Sequence, residues 1–188
     1  MVAGGTLDGG QTQNKLTEIV DLVNTNFTPS IEQLPSTREA AVGTMFGDVP
    51  ILCGGGTDGT DGYYFDSCIS FQNSQWGQSH SMNEIRGNAA GVKINSTTFW
   101  ILGGSSTSDI SDTTEFIIQD QTNGIPGPKL PYRLLGLCSV KLSETEIFVI
   151  GGFDGSRRRN ESWIYDPQNG FARKTRAIFE DRKIFSFL

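Results

Sequence analysis

The sequence predicts an all-β fold built from four similar units, each of up to four short antiparallel strands. Three observations predict it. An apolar run ending in a glycine pair occurs four times, as Val2-Ala3-Gly4-Gly5, Ile51-Leu52-Cys53-Gly54-Gly55, Trp100-Ile101-Leu102-Gly103-Gly104 and Phe148-Val149-Ile150-Gly151-Gly152, with the first glycines 50, 49 and 48 residues apart. An independent marker keeps the same step: Arg38, Arg86, Arg133 and Arg182 are spaced by 48, 47 and 49, and each opens a run of small or apolar residues. Glycine supplies 23 of 188 residues, well above the usual ~7%, so tight turns between short strands are favoured over long helices.

Each element follows in order along the unit. The first strand is led by arginine, over Arg38–Gly43, Arg86–Val92, Arg133–Val140 and Arg182–Leu188. Its small residues suit packing at a crowded axis. A polar turn leads to the second strand, the apolar run that stops at Gly-Gly. A longer polar loop then leads to a third strand at Thr17–Leu22, Ser67–Phe71, Thr113–Ile118 and Ser162–Tyr165. A turn follows, clearest as Asp166-Pro167-Gln168-Asn169-Gly170, where proline presets φ and glycine accepts positive φ. The fourth strand opens on Phe27, Trp76 or Phe171. In the third unit Ile125-Pro126-Gly127-Pro128 stands there instead, which predicts a short outer strand. Thr12–Asn24 could be read as a helix, but its place in the repeat makes it loop plus strand.

Arginine, then apolar-Gly-Gly, then Tyr-Asp-Pro, then an aromatic resembles the kelch repeat. The unit from Arg133 through Val149-Ile150-Gly151-Gly152, Asp154-Gly155 and Tyr165-Asp166-Pro167 to Phe171 carries the resemblance best. Elsewhere Phe71-Gln72 and Val20-Asp21 stand where Tyr-Asp is usual. The resemblance implies a kelch-type β-propeller, one four-stranded blade per repeat around a shaft. The blades would span 38–85, 86–132 and 133–181, with a fourth assembled from 182–188 plus 1–36 as a single domain. Such a join leaves no open sheet edge. A closed small ring and a piece of a larger propeller both remain open.

Composition excludes several classes. The net charge of −6 argues against general nucleic-acid binding. No apolar run approaches the ~18 residues of a membrane helix. The charge is uneven: residues 1–128 hold 4 basic and 14 acidic groups, residues 129–188 hold 11 and 7. One rim can therefore be basic on an acidic protein. Cys53, Cys68 and Cys138 are an odd, sparse set with no CxxC pair and read as buried thiols. Secreted and intracellular locations both stay open, with the cytoplasm favoured. Asn26, Asn95 and Asn160 open Asn-x-Ser/Thr sequons, a number close to chance for this composition.

Strand direction selects a rim. The start of strand one and the end of strand two lie at the same end of an antiparallel blade. The arginines therefore share a rim with the Gly-Gly pairs and with the loops Thr6–Lys15, Gly56–Tyr64, Ser105–Asp112 and Phe153–Asn160. Candidate partner-binding residues there are Arg38, Glu39, Arg86, Asn88, Arg133, Tyr63, Tyr64, Arg157, Arg158 and Arg159. Each has a plainer reading. Repeating arginines are commonly structural, the arginine triplet is commonly a solvated loop, and Tyr63-Tyr64-Phe65 is either inter-blade packing or an exposed anchor. No catalytic residue, metal site or cofactor is assigned. His80 is alone and reads as part of a polar loop, no Cys/His spacing suits zinc, and Asp58, Asp61 and Asp66 suit turns. The kelch resemblance implies a non-enzymatic module binding a protein or peptide, an acidic one by the charge argument, in the manner of a scaffold or ubiquitin-ligase substrate adaptor. The alternative it implies is a metal-independent carbohydrate enzyme similar to kelch-type sialic-acid epimerases, with Arg38, Glu39 and Arg86 at the shaft mouth.

Overall fold

A computed structural model describes residues 2–3, 6–7, 12–13, 15–21, 26–29, 32–57, 63–166 and 170–175. Among these, the regular structure is all β-strand. The first part of the chain contains β1 (Val2–Ala3), β2 (Thr6–Leu7), β3 (Thr12–Gln13), β4 (Thr17–Asp21) and β5 (Asn26–Pro29). Then come β6 (Glu39–Phe46), β7 (Val49–Gly56), β8 (Ser67–Gln72) and β9 (Gln75–Ser81). They are followed by β10 (Ala90–Asn95), β11 (Thr98–Leu102), β12 (Thr114–Ile118) and β13 (Ile125–Pro126). The last group is β14 (Cys138–Lys141), β15 (Ile147–Ile150), β16 (Ser162–Asp166) and β17 (Gly170–Thr175). The last three groups are four-stranded antiparallel meanders, each ordered as in the chain. β1, β4 and β5 make a three-stranded sheet, and β2 and β3 form a separate ribbon between β1 and β4 in sequence. β13 has only two residues; Pro126 and Pro128 have no N–H to extend the ladder.

The three four-stranded sheets stand as successive blades. The apolar second strand of the middle blade is buried on both faces, which is why it reads as a continuous hydrophobic run rather than an alternating one. In β11, Phe99 and Ile101 join Phe46, Ile51, Cys53, Cys68, Met82 and Ile117 in the core against the blade before. Trp100 and Leu102 point the other way and join Leu134, Leu137, Ile147, Val149, Trp163 and Tyr165 against the blade after. Leu52 and Ile150 are only half-buried. Each alternates with residues that face the middle blade, so each looks outward from this row of three.

First strands of neighbouring blades lie side by side, β10 between β6 and β14. Backbone hydrogen bonds link them in series: Asn88 donates its amide to the Ala40 carbonyl (3.0 Å), and Gly136 donates to the Asn88 carbonyl (2.8 Å). These three residues have φ of 53°, 54° and 61°. Their left-handed turn is why the strand ladder starts irregularly after each arginine position. At the opposite end, Lys93 Nζ donates to the Met45 carbonyl (2.5 Å) and Lys141 Nζ to the Ile94 carbonyl (2.6 Å). Each lysine thus clasps the first strand of the preceding blade. The expected pairing of Arg182–Leu188 with Met1–Gly5 falls outside the described residues.

The structure corrects the reading of two cysteines. Cys53 and Cys68 form a disulfide, and Cys138 is free and half-buried. The pair sits directly opposed on β7 and β8. Strand register creates that proximity across a long loop, and Cys spacing alone does not carry it. His80 is likewise not in a loop: it lies in β9 opposite Cys68 and is buried. Its ring contacts the Ser79 hydroxyl and the Gln119 carbonyl. It lines a small cavity with Phe46, Ile51, Ser70 and Gln72.

Candidate functional site

The rim is shaped by the glycine pairs. Gly54, Gly55, Gly103, Gly104, Gly151 and Gly152 all have positive φ, from 60° to 97°. The pairs also sit too close to their neighbours for a side chain. A Cβ on Gly54 would run into the Arg86 carbonyl, and one on Gly103 into the Leu134 carbonyl. That closeness is used: Gly55 donates to the Arg86 carbonyl (2.8 Å) and Gly104 to the Leu134 carbonyl (2.8 Å). The pairs at 54–55 and 103–104 therefore fasten their own second strands to the start of the next blade.

Two of the repeating arginines are interior. Arg86 is 1% exposed. Its guanidinium donates to Glu115 from Nε (3.0 Å) and Nη2 (2.8 Å), and from Nη1 to the carbonyls of Gly103 (2.7 Å) and Thr113 (3.1 Å). Arg38 makes the equivalent bonds to the carbonyls of Gly54 (2.7 Å) and Ser67 (3.0 Å) and stacks on the Phe65 ring at 4.2 Å. Where Arg86 has Glu115, Arg38 has Ile69, and its buried Nε has no hydrogen-bond partner. Burial accordingly lowers the Arg38 pKa to about 10, the charge of Asp66 opposing. Burial would raise the Glu84 carboxyl, but hydrogen bonds from Thr113 and Ser111 and the charge of Arg86 outweigh it and hold the group below its usual value.

Arg133 does not continue this series. Leu134 does: it is fully buried, its carbonyl takes the bond from Gly104, and its amide donates to Ser111 as Arg86 donates to Phe65. The step between equivalent positions 38, 86 and 134 is an even 48. Arg133, one residue earlier, projects outward and pairs with Asp109 on the preceding blade's rim loop, both side chains more than half exposed.

The rim loops share a frame and differ in what they present. Ser106 Oγ accepts the amides of Ser108 and Asp109 (3.2 and 3.1 Å). Asp154, 48 residues on, accepts those of Ser156 and Arg157 (2.8 and 2.7 Å). These two amides, with Arg159, hold the Asp154 carboxyl below the ordinary carboxylate range. The arginine triplet is thereby divided. Arg159 is ion-paired with Asp154 and Glu161 and lies over the Tyr132 ring at 3.9 Å. Arg157 and Arg158 are exposed. The tyrosines divide in the same way. Tyr64 packs its ring on Gly56 and Gly87, where any side chain would collide with it. Tyr63 is 62% exposed. Glu39 is half-buried in β6, and Asn88 is exposed on the left-handed turn.

The rim therefore offers Tyr63, Asn88, the Asp109–Arg133 pair, Arg157 and Arg158 on a rigid base. It can make charge-assisted hydrogen bonds and one aromatic contact. Sequence reasoning missed Glu115, Asp109, Asp154 and Tyr132. A lone carboxylate in the apolar strand Thr113–Ile118 is the signal that could have found Glu115. Among the described residues no cluster of His, Cys, Asp and Glu could hold a metal ion, and no helix is long and apolar enough to cross a membrane. Residues 137–170 match the family model of the Kelch motif. No curated protein matches the chain.

Proposed function

Taking the kelch motif at residues 137–170 as its premise, we propose that this chain is a non-enzymatic interaction module that holds an acidic peptide or protein segment on its Gly-Gly rim. Kelch repeats generally serve protein–protein interaction. The observation that supports the rim is the contrast between its fixed backbone and its unlike side chains. Equivalent loops, pinned by equivalent hydrogen bonds, present an acid at Asp109 and a base at Arg157. Binding groups on variable loops over a rigid scaffold are the usual arrangement of recognition sites. The carbohydrate-enzyme reading drew on Arg38, Glu39 and Arg86. Arg38 and Arg86 are buried with their Nη1 donors bonded to backbone carbonyls of the frame, so the interaction reading is preferred.

The test is binding to an array of acidic and phosphorylated peptides, with variants read against the intact chain. Changing Arg157 and Arg158 together to serine should weaken binding about tenfold at low salt and flatten its salt dependence. Tyr63→Ala should weaken it at all salt concentrations. Unchanged affinity in all of these variants would place the partner elsewhere.

A further inference from the structure

From the disulfide and one exposed sequon, we infer that Asn95 is the acceptor for an N-linked glycan and that the chain folds in an oxidising secretory compartment. The two observations are independent. Cys53 and Cys68, paired across β7 and β8, belong to a class of bond that persists in oxidising compartments and is rare in the reducing cytosol. On this ground the oxidising compartment departs from the cytoplasmic location that the sequence favours. Forming it takes two electrons and two protons from the thiols and passes them to a partner disulfide, which leaves as a dithiol.

The sequon Asn95-Ser96-Thr97 is the tip of the β10–β11 hairpin, with all three residues exposed. The Asn95 side-chain carbonyl accepts the Thr97 amide (2.9 Å) and the Thr97 hydroxyl (3.2 Å). The acceptor amide and the hydroxyl that a sequon requires therefore face solvent together on one tight turn. The other sequons are placed differently. Asn160 is exposed, but its Ser162 is fully buried in β16. Asn26 and Thr28 lie within β5, paired with Asp21 and Ile19. Position matters as well: β10 starts beside the Gly-Gly rim and ends at Asn95, so a glycan here projects from the opposite end and leaves the rim loops open.

The transfer is balanced by a lipid-pyrophosphate oligosaccharide as donor. Asn95 Nδ2 forms a bond to the anomeric carbon, and the anomeric C–O bond breaks. The lipid pyrophosphate leaves with the electron pair, and one amide proton passes to the transferase's base.

The experiment directs the whole chain into the secretory pathway of a eukaryotic cell with a cleavable leader, beside the same chain made in the cytosol. The secreted chain should carry a glycan on the Asn95 peptide, removable by a peptide:N-glycosidase. Asn95→Gln and Thr97→Ala should abolish it, and Thr97→Ser should retain it; none of these exposed turn residues is part of the core. Alkylation before reduction should label Cys138 without Cys53 or Cys68, and the cytosolic chain, with both thiols reactive, should melt lower. An unmodified Asn95 in folded secreted chain overturns the glycan site. Free Cys53 and Cys68 in that chain, or equal melting of the two preparations, overturns the compartment.

Discussion

Replacing Arg86 by leucine should cost far more than replacing its partner Glu115 by isoleucine. Each substitution copies a neighbouring blade, since Leu134 stands in the arginine position of one and Ile69 in the glutamate position of another. Arg86→Leu leaves a carboxylate that is 1% exposed without its countercharge, and strips a donor from the Gly103 and Thr113 carbonyls. Breaking a buried pair this way typically costs ~3–5 kcal/mol. Glu115→Ile leaves Arg86 as Arg38 already is, bonded to backbone carbonyls with Nε unpartnered. The Asn83 backbone and side-chain amides and the Glu84 amide that it releases sit on exposed and half-buried residues that water can reach. An unmade buried bond costs ~1–3 kcal/mol, and the lower end applies here. In the double variant the stranded carboxylate is gone, so adding Glu115→Ile to Arg86→Leu should recover about 2 kcal/mol. Urea unfolding of the four proteins reads these values from the midpoints at constant m. If Glu115→Ile destabilises the Arg86→Leu background as much as it does the parent, the two side chains are uncoupled and the reasoning fails.

Cys53→Ala with Cys68→Ala should lower stability by about 3 kcal/mol, the loop-closure value for a 15-residue separation, and reductant should mimic it in the thermal midpoint. Gly103→Ala should destabilise by at least ~1–2 kcal/mol from its positive φ alone, with the Leu134 carbonyl collision added, whereas Gly77→Ala, with open space around it, should be near neutral in the same melt. The Asp154 carboxyl is held below its unfolded value, so its contribution is complete above about pH 4 and is lost as pH falls through the depressed folded value. Protection of the Ser156 and Arg157 amides, measured against their intrinsic exchange rates at each pH, should fall in that window, and Asp154→Asn should remove this pH dependence. Arg159→Ser should lower the thermal midpoint while Arg157→Ser and Arg158→Ser do not, because only Arg159 is tied to Asp154, Glu161 and Tyr132.

The repeat was legible because its strongest demands are local. A chain that turns at positive φ against a neighbouring carbonyl favours glycine, so the Gly-Gly pairs at 54–55, 103–104 and 151–152 mark that point in their units. The arginine series was legible only in part. Side-chain identity pointed to Arg133, while the backbone bonds to Gly104 and Ser111 single out Leu134, and those bonds rather than residue type define the position. Leucine is tolerated there because Trp163 occupies the place of Glu115, so both charges are absent together. The disulfide and the fate of each rim residue needed register. Whether Tyr63 or Tyr64 faces solvent depends on which side of Gly56 the chain returns, and composition is silent on that.

The series of bonds from Asn88 to Ala40 and from Gly136 to Asn88 has a polarity. The middle blade gives an amide to the one before and a carbonyl to the one after, so the contact is heterologous and its two sides are never interchangeable. Contacts of this kind have two outcomes, a ring if the rotation closes and an open row if it does not. Because the link is backbone to backbone, its one demand on side-chain identity is a residue that accepts the left-handed turn, and a whole blade can be gained or lost without rewriting its neighbours. A single-residue insertion in a first strand has no such freedom, since it shifts the left-handed turn out of step with both partners. Lineages carrying this architecture should therefore change length in units of a blade along the inner strands and in single residues along the rim loops.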